Sequence, residues 1–321
     1  MISDEVVNIL LSKEGMMIDG IVFLPYCYAM WDCMKSVFET CLKRNIPCGV
    51  MPIPYFTLKD GRIDQWHYEY DLFKDEIEEE DLLDFNRFDE LDFSYVVIHN
   101  PYDDGNILTT VHPFFYSSVL KEKRKKIIFI PYGIPNNGVS NDLMRLTKGA
   151  LNSDYIFVNG EEERLGMIES FKKIGVDMTD RCYATGSPKL DSLFEKKEMP
   201  REWKTKVYRR ITLVCNSLVP FMKNPEGKLS QYRKMILKEM ADGKVVIFRP
   251  HPLMDETIRT QIPELYDAWQ TFNELIAKND RCILDTDSDL ATAIQFSDYL
   301  ISDPSSVVQM WMATGKPFEV M

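Results

Sequence analysis

The sequence predicts an α/β protein of two domains, each built on a parallel sheet with helices on both faces. Two observations lead to this prediction. Short apolar runs alternate with segments of about 10 to 15 residues whose apolar positions recur at helical spacing, which is typical of parallel sheets. The alternation is interrupted by a charged stretch without a strong period at residues 196–210. We therefore expect domains at residues 1–200 and 201–321, with a cleft between the two sheets.

The first domain begins with a strand, a helix and a second strand. Residues 21–24 form an apolar run, apolar residues recur at helical spacing from Met30 to Leu42, and another apolar run covers 46–53. The acidic block at 74–92 is predicted to be a solvated helix with a loop.

The rest of the first domain continues the alternation. FSYVVIHN and IIFIPYG read as strands, and the basic run 121–126 before the second of them is expected at the carboxyl end of a helix, where cations interact favourably with the helix dipole. SDYIFVNG is a strand, EEERLGMIESFKKIG a helix, and CYATGSPKLDSLF a short strand, a glycine turn and a helix. This order predicts neighbouring parallel strands.

The second domain follows the same pattern. RRITLVCNS and GKVVIFRPHP are predicted strands with the helix SQYRKMILKEMA between them, and RCILDTD, SDLATAIQFS, DYLIS and a helix from Ser305 follow. The closing GKPFEVM indicates a turn and the first residues of another strand. The second domain is therefore either cut short or unusually small, and both alternatives stay open.

The charge and the apolar content of the chain argue against two classes of function, nucleic-acid binding and membrane spanning. The chain has 38 Lys and Arg against 50 Asp and Glu, a formal net charge of -12, so we do not expect general nucleic-acid binding, which depends on basic residues. The amino-terminal residues do not read as a signal peptide, and no apolar run approaches the roughly 20 residues that span a bilayer. We expect a cytoplasmic protein, and contact with the inner face of the plasma membrane through a local patch stays open.

The cysteines and the acidic motif DTDSD are the features that could suggest metal binding. The seven cysteines are odd in number and contain no CxxC pair, so buried free thiols are expected rather than zinc or disulfides. In DTDSD, Leu290 and Phe296 stand where a calcium loop needs Gly and Glu. We therefore expect Asp287 or Ser288 to cap the next helix, with no cofactor required and no metal site indicated. The cysteines are Cys27, Cys33, Cys41, Cys48, Cys182, Cys215 and Cys282.

The segment SDPSSV, residues 302–307, joins a predicted strand to a predicted helix. Ligands of open parallel sheets bind outside the carboxyl ends of the strands, where a helix start presents unpaired amides to an anion. Small hydroxyl residues there let a phosphate approach closely. The alternative is that Asp303 or Ser305 only caps the helix, and the junction alone leaves both interpretations open.

A second junction between a strand and a loop favours the anion-binding interpretation. VVIFRPHP ends a strand with Arg249 and His251, between prolines that prevent a helix. Arg offers a planar fork for phosphate oxygens, and His donates a hydrogen bond or moves a proton near neutral pH. PYGIPNNG and TGSPKLD place glycine and short polar groups at two strand ends of the first domain, which is weaker support. No GxGxxG, GxxxxGK[ST] or HExxH motif is present, which removes the main support for dehydrogenase, P-loop and zincin functions.

Three segments resemble the CDP-glycerol glycerophosphotransferase family of teichoic acid and capsule polymerases: YATGSPKLDSLF, RPHP and SDYLISDPSSV. The likeness is most specific over residues 182–194 and 245–318, and residues 18–140 resemble a bacterial branch of the family. The resemblance implies a GT-B architecture, with two Rossmann-like domains and a cytidine nucleotide held mainly by the second. It also implies transfer of a polyol phosphate from a CDP-polyol to an acceptor hydroxyl in cell-surface polymer synthesis, with release of CMP. The acceptor is a polyol or glycan, and a lipid-linked one stays open.

The resemblance and the junctions assign the expected site. His251, Asp303 and Tyr132 are the expected catalytic residues, and Asp303 would orient a hydroxyl of the ribose or the acceptor. The donor diphosphate is expected to contact Arg249, Ser305, Ser306, Gly186 and Ser187. The acceptor side is expected to include Gly133 and His112.

The sequence departs from the family pattern at two positions. The family has His before Gly in the first-domain loop, where it is proposed to act as a base, and this chain has Tyr132 before Gly133; Pro304 replaces the usual aromatic residue. The base then comes from elsewhere, with His112 or His99 as candidates, or the acceptor differs, or catalysis is lost. Two further functions stay open: a GT-B glycosyltransferase that uses a nucleotide sugar, and a nucleotide-binding protein without chemistry.

Overall fold

The structure is a computed structural model that describes residues 1–15, 18–134, 142–206, 209–287 and 289–321. The chain divides into two units, Met1–Phe194 and Glu195–Met321, and each unit has its own parallel sheet. The sequence predicted a boundary after residue 200, close to this division. Residues 135–138 of the segment PYGIPNNG lie outside the described residues.

The described part of the first unit contains a parallel sheet of six strands in the order β2-β1-β5-β7-β8-β9. Every strand of this sheet corresponds to an apolar run that the sequence predicts as a strand. Its core contains Phe23 of β1 and Phe38 of α2, which pack edge to face at 5.6 Å between ring centroids. The elements are α1 (Ile2–Glu14), β1 (Ile21–Phe23), α2 (Asp32–Lys43), β2 (Cys48–Val50), β3 (Tyr55–Lys59), β4 (Arg62–His67), β5 (Tyr95–Ile98), β6 (Thr109–Val111), α3 (Ser117–Glu122), β7 (Lys126–Phe129), α4 (Asp142–Arg145), α5 (Lys148–Asn152), β8 (Tyr155–Val158), α6 (Glu161–Lys172) and β9 (Cys182–Ala184).

Two features of the first unit were not predicted. An antiparallel sheet in the order β4-β3-β6 follows β2, and the helix α1 precedes β1. The carboxylate of Asp191 accepts hydrogen bonds from the amides of Ile2 and Ser3, both at 2.9 Å, and so binds the start of α1. At the other end, Glu14 accepts a hydrogen bond from the hydroxyl of Tyr95 at 2.6 Å, next to the amino end of β5.

The acidic block does not form the predicted α-helix. Residues 74–92 contain turns and a 3-10 helix at Phe85–Glu90, and Ile77, Leu82 and Phe88 are buried. These three apolar residues do not recur at the three- or four-residue spacing that an amphipathic helix needs, so they anchor irregular backbone instead.

In the second unit, the described residues form a parallel sheet of five strands in the order β12-β11-β10-β13-β14. Trp269 of α11 packs with Phe248 of β11 and Phe221 of α8 in its core. The strand predicted in GKPFEVM is present as β14, which pairs with β13. The elements are α7 (Arg201–Lys204), β10 (Ile211–Cys215), α8 (Leu218–Lys223), α9 (Pro225–Ala241), β11 (Val245–Arg249), α10 (Met254–Gln261), α11 (Tyr266–Ala277), β12 (Cys282–Leu284), α12 (Leu290–Phe296), β13 (Tyr299–Ser302), α13 (Ser306–Met312) and β14 (Phe318–Val320).

The structure bears on two further expectations, the state of the cysteines and the presence of membrane-spanning helices. All seven cysteines lie in the described residues as free thiols, six of them buried and Cys48 half-buried, as expected. Within the described ranges, none of the helices combines the length and the apolar character that crossing a bilayer requires.

Candidate functional site

Three loops begin side by side at the carboxyl edge of the second sheet, and two of them carry the predicted motifs. Cys215, the last residue of β10, is in register with Arg249 at the end of β11 and with Ser302 at the end of β13. The loops that follow β10, β11 and β13 therefore begin side by side. The sequence predicted RPHP and SDPSSV at the same edge, and the register agrees with that placement.

Arg249 is held by the loop after β12. It is 8% exposed, and its guanidinium forms an ion pair with the buried Asp285 at 2.5 Å and donates a hydrogen bond to the backbone carbonyl of Asp287. In the sheet order, β10 lies between β11 and β13, and the loop after β12 is on the other side of β11. These contacts direct Arg249 away from SDPSSV, so its predicted contact with a diphosphate stays a prediction.

His251 is half-buried and is positioned by backbone contacts. Its amide donates to the side-chain oxygen of Asn216 at 2.7 Å, and its Nδ1 accepts a hydrogen bond from the amide of Leu253 at 3.1 Å. Because Nδ1 acts as an acceptor, the neutral ring carries its proton on Nε2. That arrangement suits a ring that donates a hydrogen bond, which is one of the two roles the sequence suggested.

Asp303 is fully buried and binds three donors of its own unit. Its carboxylate forms an ion pair with Lys228 at 2.5 Å, accepts a hydrogen bond from the amide of Ser217 at 3.1 Å and accepts another from the hydroxyl of Tyr232. Lys228 and Tyr232 both lie on α9. Asp303 therefore ties α9 and the loop after β10 to the end of β13, and its predicted role towards a substrate hydroxyl stays a prediction.

The loop after β10 connects the two predicted motifs, and the sequence analysis did not single it out. Asn216 accepts from the amide of His251, and the next residue, Ser217, donates to Asp303. Asn216 is 3% exposed, and its Nδ2 has no hydrogen-bond partner among the described residues. The signal that could have found it is the polar pair Asn–Ser directly after a strand, the same signal that singled out SDPSSV.

Ser305 and Ser306, the second and third serines of SDPSSV, lie at the start of α13. The hydroxyl of Ser305 is 3.3 Å from that of Ser302, and Ser306 is the first residue of the helix. Both serines are half-buried. Ser305 stands at the N-cap position without a side-chain hydrogen bond to the helix, so the capping alternative is not realised by its hydroxyl.

The acidic loop after β12 is explained by contacts within the protein. Asp289, not Asp287, caps α12, because its side chain accepts from the amide of Ala291 at 2.9 Å. Asp287 instead accepts from the amide of Asp289 at 2.9 Å. Ser288, the other predicted cap, lies outside the described residues.

A cavity of about 630 Å³ lies beside the same loop. The ammonium of Lys206, on its wall, donates to the carbonyls of Asn279 and Cys282 at 3.1 and 2.9 Å. The charged residues of the lining are five carboxylates and one lysine, so the cavity repels anions and does not suit a diphosphate. The carboxylates are those of Glu198, Glu202, Asp285, Asp287 and Asp289.

Gly186 and Ser187 belong to the first unit, after β9, whereas the other predicted diphosphate contacts belong to the second. Gly186 has φ 91°, in the region that favours glycine, and a Cβ built on it would lie 3.0 Å from the side chain of Ile2 in α1. Packing and backbone conformation therefore account for this glycine. Ser187 is buried, and its hydroxyl has no partner among the described residues.

Tyr132 occupies the loop after β7. Burial raises the pKa of its hydroxyl above the ordinary value, and a hydrogen bond with Tyr102 raises it further. The hydroxyl is therefore neutral at physiological pH and is not a base. A Cβ on the neighbouring Gly133 would meet no atom within 4 Å, so packing does not require this glycine.

His112 lies directly after β6, in the antiparallel sheet. Its ring stacks on Phe56 at 6.0 Å and meets Trp66 edge to face at 5.8 Å. Nδ1 accepts from the amide of Phe114 at 3.3 Å, and burial lowers the pKa of the ring. An aromatic cluster thus holds His112, and its acceptor-side role stays a prediction.

Comparisons with known proteins identify the fold. The sequence matches no model of a protein family, and it matches no curated protein. The UDP-GlcNAc 2-epimerase of Neisseria meningitidis, bound to UDP-GlcNAc, superimposes with a TM-score of 0.59 at 12% identity, over 94% of this chain and 81% of that chain. The UDP-GlcNAc 2-epimerase of Methanocaldococcus jannaschii, in complex with UDP-GlcNAc and UDP, gives a TM-score of 0.58 at 11% identity, over 94% and 83%.

A third similar structure is the wall teichoic acid polymerase TagF, with a TM-score of 0.48 at 14% identity, over 93% of this chain and 68% of that chain. This superposition is too weak to carry an argument. The two epimerases confirm the predicted fold class, a GT-B-like α/β protein with two parallel sheets. The resemblance to the CDP-glycerol family stays a prediction.

Proposed function

We propose that the chain is an enzyme that acts on a nucleotide-activated sugar, with the diphosphate bound at the carboxyl edge of the second sheet. The observation that carries the proposal is Asn216, whose buried amide nitrogen has no partner among the described residues where the loops after β10, β11 and β13 begin. Buried donors are almost always hydrogen-bonded, so one at a ligand-binding edge indicates a ligand. The epimerases of similar fold, which bind UDP-GlcNAc or UDP, support this choice of substrate class.

The reaction that we propose is transfer of the sugar to a hydroxyl. The acceptor oxygen forms a bond to the anomeric carbon, the bond from that carbon to the diphosphate breaks, and the nucleoside diphosphate leaves with the electron pair. The acceptor proton passes to a base. Asn216 Nδ2 and His251 Nε2 would donate to the phosphate oxygens, and donors fixed before the reaction stabilise the charge that develops on a leaving group. Ser305 and Ser306 would complete this side of the site.

A second candidate is transfer of a polyol phosphate from a CDP-polyol. It is favoured by the segments YATGSPKLDSLF, RPHP and SDYLISDPSSV. This reaction breaks the bond between the two phosphates, so it releases CMP, whereas sugar transfer releases a nucleoside diphosphate. Product analysis therefore separates the two candidates. The cytoplasmic location and a lipid-linked acceptor stay predictions for either one.

The test is binding of nucleotides to the native chain and to Asn216→Asp. Asp keeps an oxygen for the amide of His251, but it replaces the donor with a carboxylate that repels phosphate. We expect UDP, UDP-N-acetylglucosamine or CDP-glycerol to raise the melting temperature of the native chain. Asn216→Asp should weaken the binding about 10- to 100-fold, the range for a hydrogen bond to a charged group.

Asn224→Asp is the matched control, because it makes the same chemical change in the same unit. The Asn224 side chain caps α9 by accepting from the amide of Gly227 at 3.2 Å, a role that Asp also performs. We expect this variant to bind nucleotides like the native chain. Equal loss of affinity in both variants, or native affinity in Asn216→Asp, would remove the support for the proposed site.

A further inference from the structure

Three aromatic rings meet on one face of the antiparallel sheet of the first unit. Trp66 of β4 lies opposite Phe56 of β3 in the register, with 5.3 Å between the ring centroids. The ring of His112, directly after β6, lies 6.0 Å from that of Phe56 and 5.8 Å from that of Trp66. We call these three residues the ring cluster. Phe85 packs against Trp66 at 6.4 Å and supports it from the segment before β5.

The ring cluster is open to solvent at Trp66. This residue is 48% exposed, whereas the other four tryptophans of the chain are at most 5% exposed. Phe56 and His112 are half-buried. An exposed indole keeps a large apolar surface in water, and a bound partner would recover the free energy that this exposure costs. The exposure of this one tryptophan therefore indicates an occupant.

Two N–H groups border the rings. Nδ1 of His112 accepts a hydrogen bond from the amide of Phe114, and burial lowers the pKa of the ring, so the neutral ring carries its proton on Nε2. Neither Nε2 of His112 nor Nε1 of Trp66 has a hydrogen-bond partner among the described residues. The cluster thus combines aromatic faces with donors at their edges, and it carries no charge at physiological pH.

The exposed apolar area is small. The exposed half of an indole offers about 100 Å², whereas a stable protein interface buries about 800 Å² on each side. Ile63 is the one exposed apolar neighbour of Trp66 on β4. The other exposed neighbours on this strand are polar, namely Arg62, Asp64 and Gln65. An area of this size suits a single small ring better than a protein surface.

A sugar ring has the matching chemistry. Its C–H hydrogens carry a partial positive charge and pack on the negative face of an aromatic ring. Its hydroxyl oxygens accept hydrogen bonds from N–H groups at the edge of the same surface. An uncharged sugar also needs no compensating charge, and the ring cluster provides none.

We propose that the ring cluster binds one ring of an uncharged oligosaccharide, which stacks on the indole of Trp66 and accepts a hydrogen bond from Nε2–H of His112. All residues of this site belong to the first unit. The inference goes beyond the proposed function and does not depend on it, because the ligand contains no nucleotide.

The first test uses the native full chain. Acrylamide quenches the fluorescence of exposed tryptophans, so in this chain it reports mainly on Trp66. We expect at least one of cellotriose, maltotriose and the trimer of N-acetylglucosamine to reduce the quenching. No protection by any of the three overturns the proposal. Protection that rises with protein concentration without sugar also overturns it, because a second copy of the chain would then be the occupant.

The second test compares variants with the probe that protects best. Trp66→Ala removes the stacking face and one donor, so it should weaken binding about 10-fold or more. His112→Phe keeps a ring and removes the other donor, so it should weaken binding about 3- to 10-fold, the range for one neutral hydrogen bond.

Phe194→Ala is the matched control, because Phe194 is an aromatic residue of the same unit that is 76% exposed and lies outside the ring cluster. It should bind the probe like the native chain. Native affinity in Trp66→Ala or His112→Phe, or an equal loss in Phe194→Ala, overturns the proposal. The quenching measurement decides the case in which a variant does not fold. Failure of every nucleotide to bind would refute the proposed function alone.

Discussion

The carboxyl edges of the two sheets differ in how their buried polar groups are balanced. At the edge of the second sheet, buried charges are paired within the unit, Arg249 with Asp285 and Lys228 with Asp303. At the edge of the first sheet, the rings that contact the buried neutral His99 belong to Tyr26 and Tyr132, and the nearby Lys189 is paired with Asp32. The residues with the strongest chemical signal in the sequence are thus already engaged in structural contacts.

The comparison teaches that residue type alone does not identify the groups that meet a ligand. Asn216 and His99 are uncharged, and each retains a buried donor without a partner among the described residues. The two charges of a buried ion pair compensate each other, and removing either one leaves the other uncompensated. Such a pair therefore holds its two segments together and is not available to a ligand. The neutral donor of Asn216 is therefore the sharper indicator of the proposed site at the second edge.

The largest effect is expected for Asp303→Ala. The substitution leaves the ammonium of Lys228 and the hydroxyl of Tyr232 without their buried acceptor, and losing one partner of a buried pair costs about 3–5 kcal/mol. The free energy of unfolding of the second unit, measured by urea denaturation, should fall by that amount. Glu274→Ala removes an exposed partner of Lys278 and should change nothing measurable. A small effect of Asp303→Ala would contradict the charge-paired description of the second edge.

The next effect is the dependence of stability on pH that His99 introduces. Its pKa is lowered from an ordinary value of 6.5 to about 3, so between these values the unfolded chain binds a proton that the folded chain does not. Stability from this group is fully present above pH 6.5 and is lost as the pH falls towards 3, with a slope of up to about 1.4 kcal/mol per pH unit.

The difference between the native chain and His99→Gln, measured between pH 7 and 5, isolates this contribution, because His112, whose pKa burial also lowers, is present in both. His99→Gln should have a flatter profile than the native chain over that interval. Identical profiles would show that the first edge does not hold a neutral buried imidazole.

The smallest effect is expected for Tyr132→Phe, at the position where the resembled family has histidine. The hydroxyl of Tyr132 is neutral and hydrogen-bonded to Tyr102, so its removal should cost about 0.5–1.5 kcal/mol of stability. Turnover should change little, whereas loss of a positioned base lowers it by about 10² to 10⁴-fold. A loss of that size, measured with the substrate found in the binding assay, would restore Tyr132 as a catalytic residue.

Much of the fold could be predicted from the sequence, because most strands of both parallel sheets are apolar runs, with the exposed β14 as an exception. The antiparallel sheet was missed: its strand Arg62–His67 is exposed along most of its length and shows no apolar run. The prediction of a solvated helix in the acidic block was wrong because it rested on the charged residues and did not consider three apolar residues that are buried. Hydrophobic periodicity thus predicts strands and helices whose buried residues recur at a regular spacing. It misses elements that are exposed or whose buried residues are irregularly spaced.

The placement of the two motifs could be predicted, whereas the contacts of their residues could not. The motifs RPHP and SDPSSV lie at the ends of strands on either side of β10, as expected, but the partners of Arg249 and Asp303 come from elsewhere in the chain. Lys228 is 75 residues from Asp303 in sequence, and no local pattern announces such a pair. Asn216 was missed because a single asparagine after a strand is common in loops of every kind.

The anchoring of α1 has a consequence for any attempt to dissect the chain. Distant residues of the first unit bind both ends of this helix: Asp191 accepts from the amides at its start, and Tyr95 donates to Glu14 at its end. Ile2 packs on Gly186 in the loop after β9. A shortened version starting at Ile18 would expose the apolar face that α1 covers and remove the support of that loop.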